Sequence, residues 1–323
     1  MSSKDTPVPL AGLELDNLLG FLTLLGLLRA LEVARPAWSP GASWQGTPLV
    51  AHLHTVVEVT QDEIAMAACE GIEAFVEALI VEGHKNVDFS FAEFGDYAGE
   101  ARVDSRRSLV AAALCAQLPR RIKAKTEVQV SPLVMMFGQG HQNFLERLVA
   151  VPRGDVPNRM SKAKNPPNLR DSAKVAEALF SPWLRTDRTD GFRWDPEDDQ
   201  RYALRYDDPS KAGAAPTVHG ANRLAVLGFL SYPCFPLEQS SRKPRTAGYR
   251  RQGRGVSFVW PVWSVPLCLT GIEALLAHPA IANGKLDNVK PYGVTQILAA
   301  QRVSNGKFLN VARARPWSGP EDA

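Results

Sequence analysis

Only four cysteines occur in 323 residues, at positions 69, 115, 234 and 268, and no two form a Cys-x-x-Cys pair. That excludes a zinc ribbon and a thioredoxin motif, and it fits a reducing cytoplasm. No G-x-x-x-x-G-K-[ST] phosphate loop is present, and no G-x-S-x-G nucleophile elbow. Repeats and low-complexity tracts are missing as well. The apolar run Leu18–Leu28 is too short to cross a bilayer, and Arg29 and Glu32 follow it at once. Asp5, Glu14 and Asp16 precede it, where a signal peptide needs a basic start. The expectation is a cytoplasmic protein without a membrane partner, with this run as a core helix.

Basic residues are scarce in the first 100 positions. Four (Lys4, Arg29, Arg35, Lys85) stand against 15 acids, a net of −11. The remaining 223 residues hold 33 bases and 19 acids, a net of +14. The overall +3 hides this split, which points to a basic surface for a polyanion and an acidic face elsewhere. At 45 % hydrophobic and 22 % charged residues, the composition excludes wholesale disorder, collagen and coiled coil.

Asp16 is placed to cap a helix over Asn17–Ala34 whose leucines cover nearly every face, so other elements must wrap it. Two strands follow, Ala42–Gln45 and Leu49–Val59. Thr60 and Glu63 then form a capping box for a helix striped by Ile64, Ala67, Ala68, Ile72, Phe75, Val76 and Leu79. Glu70, Glu73 and Glu77 fall mostly on its other side. A helix is expected over Ser105–Leu118, an extended run over Glu127–Phe137 and a short helix over His141–Val149. Asp171 caps a further helix. Long loops are expected at 152–170 and Pro236–Gly255. Beyond them come a strand over Val256–Trp263, a helix over Leu267–His278, and a hairpin around Asn305-Gly306. Cys69 and Cys268 read as small core hydrophobes. Mixed elements without βαβ alternation predict an α+β fold with short antiparallel strands. The division expected is 1–150, holding the apolar helix, and 151–323, holding the basic loops and hairpin, or one continuous domain.

The clearest chemical feature is the second loop. Arg242, Lys243, Arg245, Arg250, Arg251 and Arg254 surround Tyr249, and no acid lies between Ser240 and Gly255. Guanidinium groups grip phosphates in a bidentate fork, and a tyrosine stacks on a base or packs. Such a patch is the electrostatic footprint of a nucleic-acid binder; the plainer reading is a solvated loop. The first loop adds Arg153, Arg159, Lys162, Lys164 and Arg170. Arg120, Arg121, Lys123 and Lys125 make a third cluster. Gly138-Gln-Gly140 lacks the third glycine of a dinucleotide site and reads as a turn.

Two features suit a metal. His52, His54 and Glu58 alternate along a strand, although two half-exposed histidines explain them more simply. Asp195-Pro-Glu-Asp-Asp199 resembles a nuclease's acidic cluster, but it also reads as ordinary helix-start chemistry. No cofactor is implied.

The stretch Leu13–Leu31, reading LELDNLLGFLTLLGLLRAL, resembles the opening helix of large-subunit-like proteins of CRISPR type I-U (also called I-G) systems. Leu18 stands where those proteins commonly have proline. Further similarity lies in Phe192–Leu204 (FRWDPEDDQRYAL), in Gly220–Ala225 (GANRLA) and in Arg254–Trp263 (RGVSFVWPVW). The resemblance implies a non-catalytic subunit or accessory of an antiviral effector complex. Such a subunit contacts crRNA, target DNA and other effector subunits, while base pairing reads the target. Cleavage would belong to a separate helicase-nuclease. The alternatives are a metal-dependent nuclease using Asp195, Glu197, Asp198 and Asp199, with or without His52 and His54, and a scaffold that docks a partner on the acidic face.

Overall fold

The computed structural model describes residues 7–117, 128–135, 143–157, 167–198, 216–235, 245–252, 255–305 and 308–319. At its centre is helix α1 (Leu18–Ala34), buried at every residue from Leu18 to Leu31. The cap is Asn17, one residue later than expected; its side-chain oxygen accepts from the Leu19 N–H at 2.9 Å. Asp16 instead turns outward and accepts from Arg313 at 2.8 Å.

Two helices wrap α1. Helix α2 (Gln61–Val76) starts on the expected capping box, with Thr60 and Glu63 bonded reciprocally. Its apolar stripe from Ile64 to Val76 is buried. Four more helices follow: α3 (Phe91–Ala101), α4 (Ser105–Leu114), α5 (Phe144–Arg153) and α6 (Ser172–Phe180). Asp171 caps α6 as expected, accepting from the Ala173 N–H. Helix α7 (His219–Phe229) is buried over its whole length. It crosses α1 at a point where both chains carry glycine. A Cβ built on Gly26 would lie 1.8 Å from the Leu224 carbonyl oxygen, and one on Gly228 would lie 1.9 Å from that of Leu22. Among the described residues, α8 (Leu269–Ala277) and α9 (Pro279–Ala282) are the last α-helices.

Every named strand pairing is antiparallel. Strands β1 (Val8–Leu10), β2 (Gly41–Gln45) and β3 (Val50–His54) form one sheet, in the order β1-β3-β2. Strands β4 (Cys115–Gln117) and β5 (Val128–Val130) pair separately, as do β6 (Cys234–Phe235) and β7 (Arg245–Thr246). The largest sheet runs β8 (Tyr249–Gln252), β9 (Gly255–Trp263), β10 (Val294–Asn305), β11 (Phe308–Val311), with β12 (Arg315–Pro316) also on β10. The fold is α+β, as the sequence predicts. One hydrophobic cluster runs from Leu10 to Ala314 and draws on residues from both sides of position 150.

Trp260 and Trp263 both pack on Phe21, at 5.4 Å stacked and 6.4 Å edge-on. Trp263 also donates its indole N–H to the Ala42 carbonyl at 2.7 Å. The two tryptophans thus tie the large sheet to α1 and to β2. Trp194 stacks on Phe192 and Phe229, and its backbone carbonyl accepts from Leu19 N–H. Thr23 donates to the Ala221 carbonyl at 3.2 Å. The described residues 192–198, 220–225 and 255–263 therefore pack around α1.

Several boundaries differ from the sequence reading. The helix from Ser105 ends at Leu114, because Cys115–Gln117 pairs with β5 instead. The strand from residue 50 ends at His54, and Val56 and Val57 are exposed beyond it. Cys268 is exposed at the start of α8 rather than buried. The hairpin register pairs Asn305 with Phe308, one step beyond the Asn-Gly turn expected. Within the expected loop Pro236–Gly255, residues 245–246 and 249–252 are strand, since β8 completes the edge of the large sheet.

Glycine at 99 has no such packing reason. A Cβ there meets nothing within 4 Å. Gly99→Ala in α3 is expected to raise the unfolding free energy by about 0.8 kcal/mol, through the backbone entropy glycine loses in a helix. Urea denaturation measures it.

Candidate nucleic-acid interface

Most of the predicted contact residues lie outside the described residues: Arg242, Lys243, Arg254, Arg159, Lys162, Lys164, Arg120 and Arg121. Four are placed. Arg245 stands in β7, and Tyr249, Arg250 and Arg251 stand in β8, at one edge of the large sheet. An edge strand leaves backbone groups unpaired on its outer side, and cations there discourage pairing with another strand.

Of the two roles open to Tyr249, geometry gives packing. Its ring sits 6.0 Å from that of Phe258, and burial pushes its phenol up from the usual value. Arg250 is also engaged. It donates to the Ala282 carbonyl at 2.9 Å and to Asn283 Oδ1, and it lies over the Trp317 ring at 5.9 Å. In the first basic stretch, Arg153 and Arg170 pair with Asp155, and Arg153 also faces Glu77 at 3.8 Å. These placed cations partly serve the fold, so a phosphate contact there must come from the same arginines or from their undescribed neighbours.

Sequence reading passed over Arg313, Arg315 and Trp317. They line an open groove of about 740 Å³ with Ser257 and Gln301 on the face of the large sheet. Arg315 is exposed, and no ion pair engages it among the described residues. The alternation Arg-x-Arg-x-Trp over residues 313–317 was the available signal.

The acidic segment is arranged for structure. Asp195, 3 % exposed, accepts from Arg185 at 2.9 Å and from Asn17 at 3.0 Å. Glu197 pairs with Arg313 at 3.0 Å. Residues 196 and 197 form a turn rather than the start of a helix. Glu14 completes the network. Burial pushes its carboxyl up, but hydrogen bonds from Asn17 and Arg185, and the charges of Arg185 and Arg313, outweigh this and hold it below the usual range. Such pairing links α1, the 183–198 segment and the C-terminal strand. It leaves Asp195 no free oxygen aimed at a metal.

The histidines follow the same pattern. His54 is buried and shares a 2.8 Å hydrogen bond with Ser43, while His52 Nδ1 meets the Val50 carbonyl at 3.0 Å. Glu58 lies beyond the strand's end. Among the described residues, no group of three His, Cys, Asp or Glu side chains is arranged to hold a metal ion.

His219, at the start of α7, is 1 % exposed, with Thr189 Oγ1 at 3.3 Å from its Nδ1. Burial and the Arg223 charge push its pKa down from 6.5 to about 4, against the pull of Asp187. A depressed folded value means stability that is full above 6.5 and lost as pH falls through about 4. The thermal unfolding midpoint of the protein is expected to fall steadily as pH drops across that interval. His219→Gln, which cannot charge, is expected to flatten the profile there.

No helix among the described residues is long and apolar enough to cross a membrane. No family model matches the chain, and no match was found among the curated proteins or the solved structures.

Proposed function

We propose that this protein is a non-catalytic nucleic-acid-binding subunit or accessory of a CRISPR type I-like antiviral effector complex. The observation that carries the reading is the acid-free, arginine-rich stretch 242–254, part of which forms the edge strand of the large sheet. A rigid sheet fixes where that charge is presented. Along the chain, Arg242, Lys243 and Arg254 flank the described part of the stretch. The resemblance of the core segments to type I-U large-subunit-like proteins supports the complex as its setting. In such a complex, a backbone-reading subunit needs charge and shape but no active site. The engagement of Asp195 and Glu197 by arginines favours this reading over a metal-dependent nuclease.

The test is binding of crRNA-length RNA and of target DNA as a function of salt. Phosphate contacts release counterions, so affinity should fall steeply with ionic strength. Affinity that stays level from low to high salt would overturn the proposal. Cleavage that requires Mg²⁺ and is abolished by Asp198→Ala would favour the nuclease instead.

A further inference from the structure

The two faces of the large sheet are treated differently. One carries Phe258, Trp260 and Ala300 into the main core beneath α1. On the other, Val259 and Ile297 lie in a second small cluster with Ile281 and Val289. That cover stops partway along the strands.

Register says what occupies the uncovered part. Ser257 stands opposite Gln301, Val259 opposite Ala299, and Ala299 opposite Arg315. Directly opposed residues share a face, and side chains two apart on a strand do too. Gly255, Ser257, Ala299 and Gln301 therefore make one floor of small and polar side chains. The 312–317 strap borders this floor, and together they enclose the 740 Å³ groove. No large apolar side chain stands on the floor, so it does not suit an apolar protein partner.

The rim is graded in charge. Arg313 is held by Glu14 at 3.2 Å, Asp16 at 2.8 Å and Glu197 at 3.0 Å. Burial opposes its charge, but these carboxylates outweigh burial and raise its pKa. That charge is already matched. Counted with Asp195 and Arg185, this end holds four acids and two arginines. Among the described residues, no carboxylate pairs with Arg315. Arg250 stands opposite Ser257 in the same cross-strand row and reaches Trp317 at the groove wall.

We infer that this groove seats a single strand of nucleic acid, its phosphates toward Arg315 and Arg250 and away from Asp16. The inference rests on the nucleic-acid reading above and names the form bound and a second surface for it. A single strand can present bases and sugars to a polar floor while its phosphates meet the rim, whereas a duplex turns its bases inward. The small floor residues let a nucleotide lie close to the sheet backbone, and Trp317 bounds the track with an aromatic wall.

The test uses the full chain and labelled oligothymidylate and oligouridylate, single-stranded and annealed to their complements, followed by fluorescence anisotropy across salt. Arg315→Glu is expected to weaken single-strand binding about tenfold and to lower the salt slope by about one, as loss of one phosphate contact should. Asp16→Asn is expected to tighten it about threefold, since it removes a negative charge from the groove lining. Ser257→Trp, which fills the floor, is expected to block it. Arg315 is exposed and has no ion pair among the described residues, so its substitution tests the groove even if Ser257→Trp does not fold. Wild-type binding that Arg315→Glu and Ser257→Trp leave unchanged would overturn the groove and leave the nucleic-acid reading standing. Equal affinity for duplex would overturn the single-strand assignment. No binding of any probe by the wild type would overturn both.

Discussion

Gly228→Val is expected to leave little folded protein, and Gly26→Val the same. Helices α1 and α7 touch backbone to backbone at these two residues, with built Cβ atoms under 2 Å from a carbonyl oxygen of the facing helix. No rotamer relieves that overlap, because the atom clashing is Cβ itself. The helices would have to separate. Helix α1 cannot retreat, since Gly71 of α2 holds it from another side, where a Cβ would lie 2.2 Å from the Ala30 carbonyl oxygen. Helix α7 is held in turn by α6, with a Cβ on Gly220 falling 2.0 Å from the Lys174 carbonyl oxygen. Overpacking commonly costs about 1–3 kcal/mol and more where nothing yields. The expected loss exceeds ~3 kcal/mol, set against a total stability of about 5–15 kcal/mol. Urea unfolding, or soluble yield where no transition survives, gives the answer. An unchanged midpoint for Gly228→Val would mean that the two helices do not cross here. Gly99→Ala, with open space at its Cβ, should shift the midpoint the other way.

The second large effect concerns charge. Replacing Arg242, Lys243, Arg245, Arg250, Arg251 and Arg254 together by alanine is expected to remove most of the salt dependence of nucleic-acid binding. If all six neutralise phosphates, the wild-type affinity should fall about 10³-fold between 50 and 200 mM salt, with a log–log slope of roughly −5 on duplex DNA. The variant should keep only the slope of about −1 that the Arg315 contact supplies. Arg250 serves as the internal check, because its bonds to Ala282 and Asn283 make it part of the fold. Arg250→Ala alone should cost stability. The five-residue variant that keeps Arg250 should still lose most of the slope. A slope as steep in that variant as in the wild type would move the contact surface elsewhere on the protein.

Local signals in the chain were legible where the determinant was itself local. The Thr60–Glu63 capping box, the stripe from Ile64 to Val76 and the Asp171 cap are each set by neighbours within a few residues, and each is realised. The same kind of signal was available at Ser90 and Glu93, which form a second reciprocal box at the start of α3. Helix α1 announced its burial through leucines on every face. It did not announce its neighbours, nor that its glycines mark a crossing.

What failed depended on distant partners. Cys115–Gln117 continues a helical pattern, yet β5 supplies a ladder that the local preference cannot match. The stretch after Pro236 reads as loop by composition, yet β9 pairs with residues 249–252. Asp195 looked like a metal ligand or a helix start until Asn17 and Arg185, which are 178 and 10 residues away, closed on it.

The sequence by itself determined the α+β class, the apolar helix at the centre and the separation of acidic from basic stretches, because composition and periodicity act through near neighbours. Only the tertiary structure decided which charges are already matched and which face of the large sheet is left open. Those depend on cross-strand register and on which carboxylate reaches which arginine. Arg313 and Arg315 differ by two positions in the chain. Both line the same groove, yet three carboxylates surround Arg313 and, among the described residues, none pairs with Arg315, because the 14–17 and 195–197 segments close on position 313 alone.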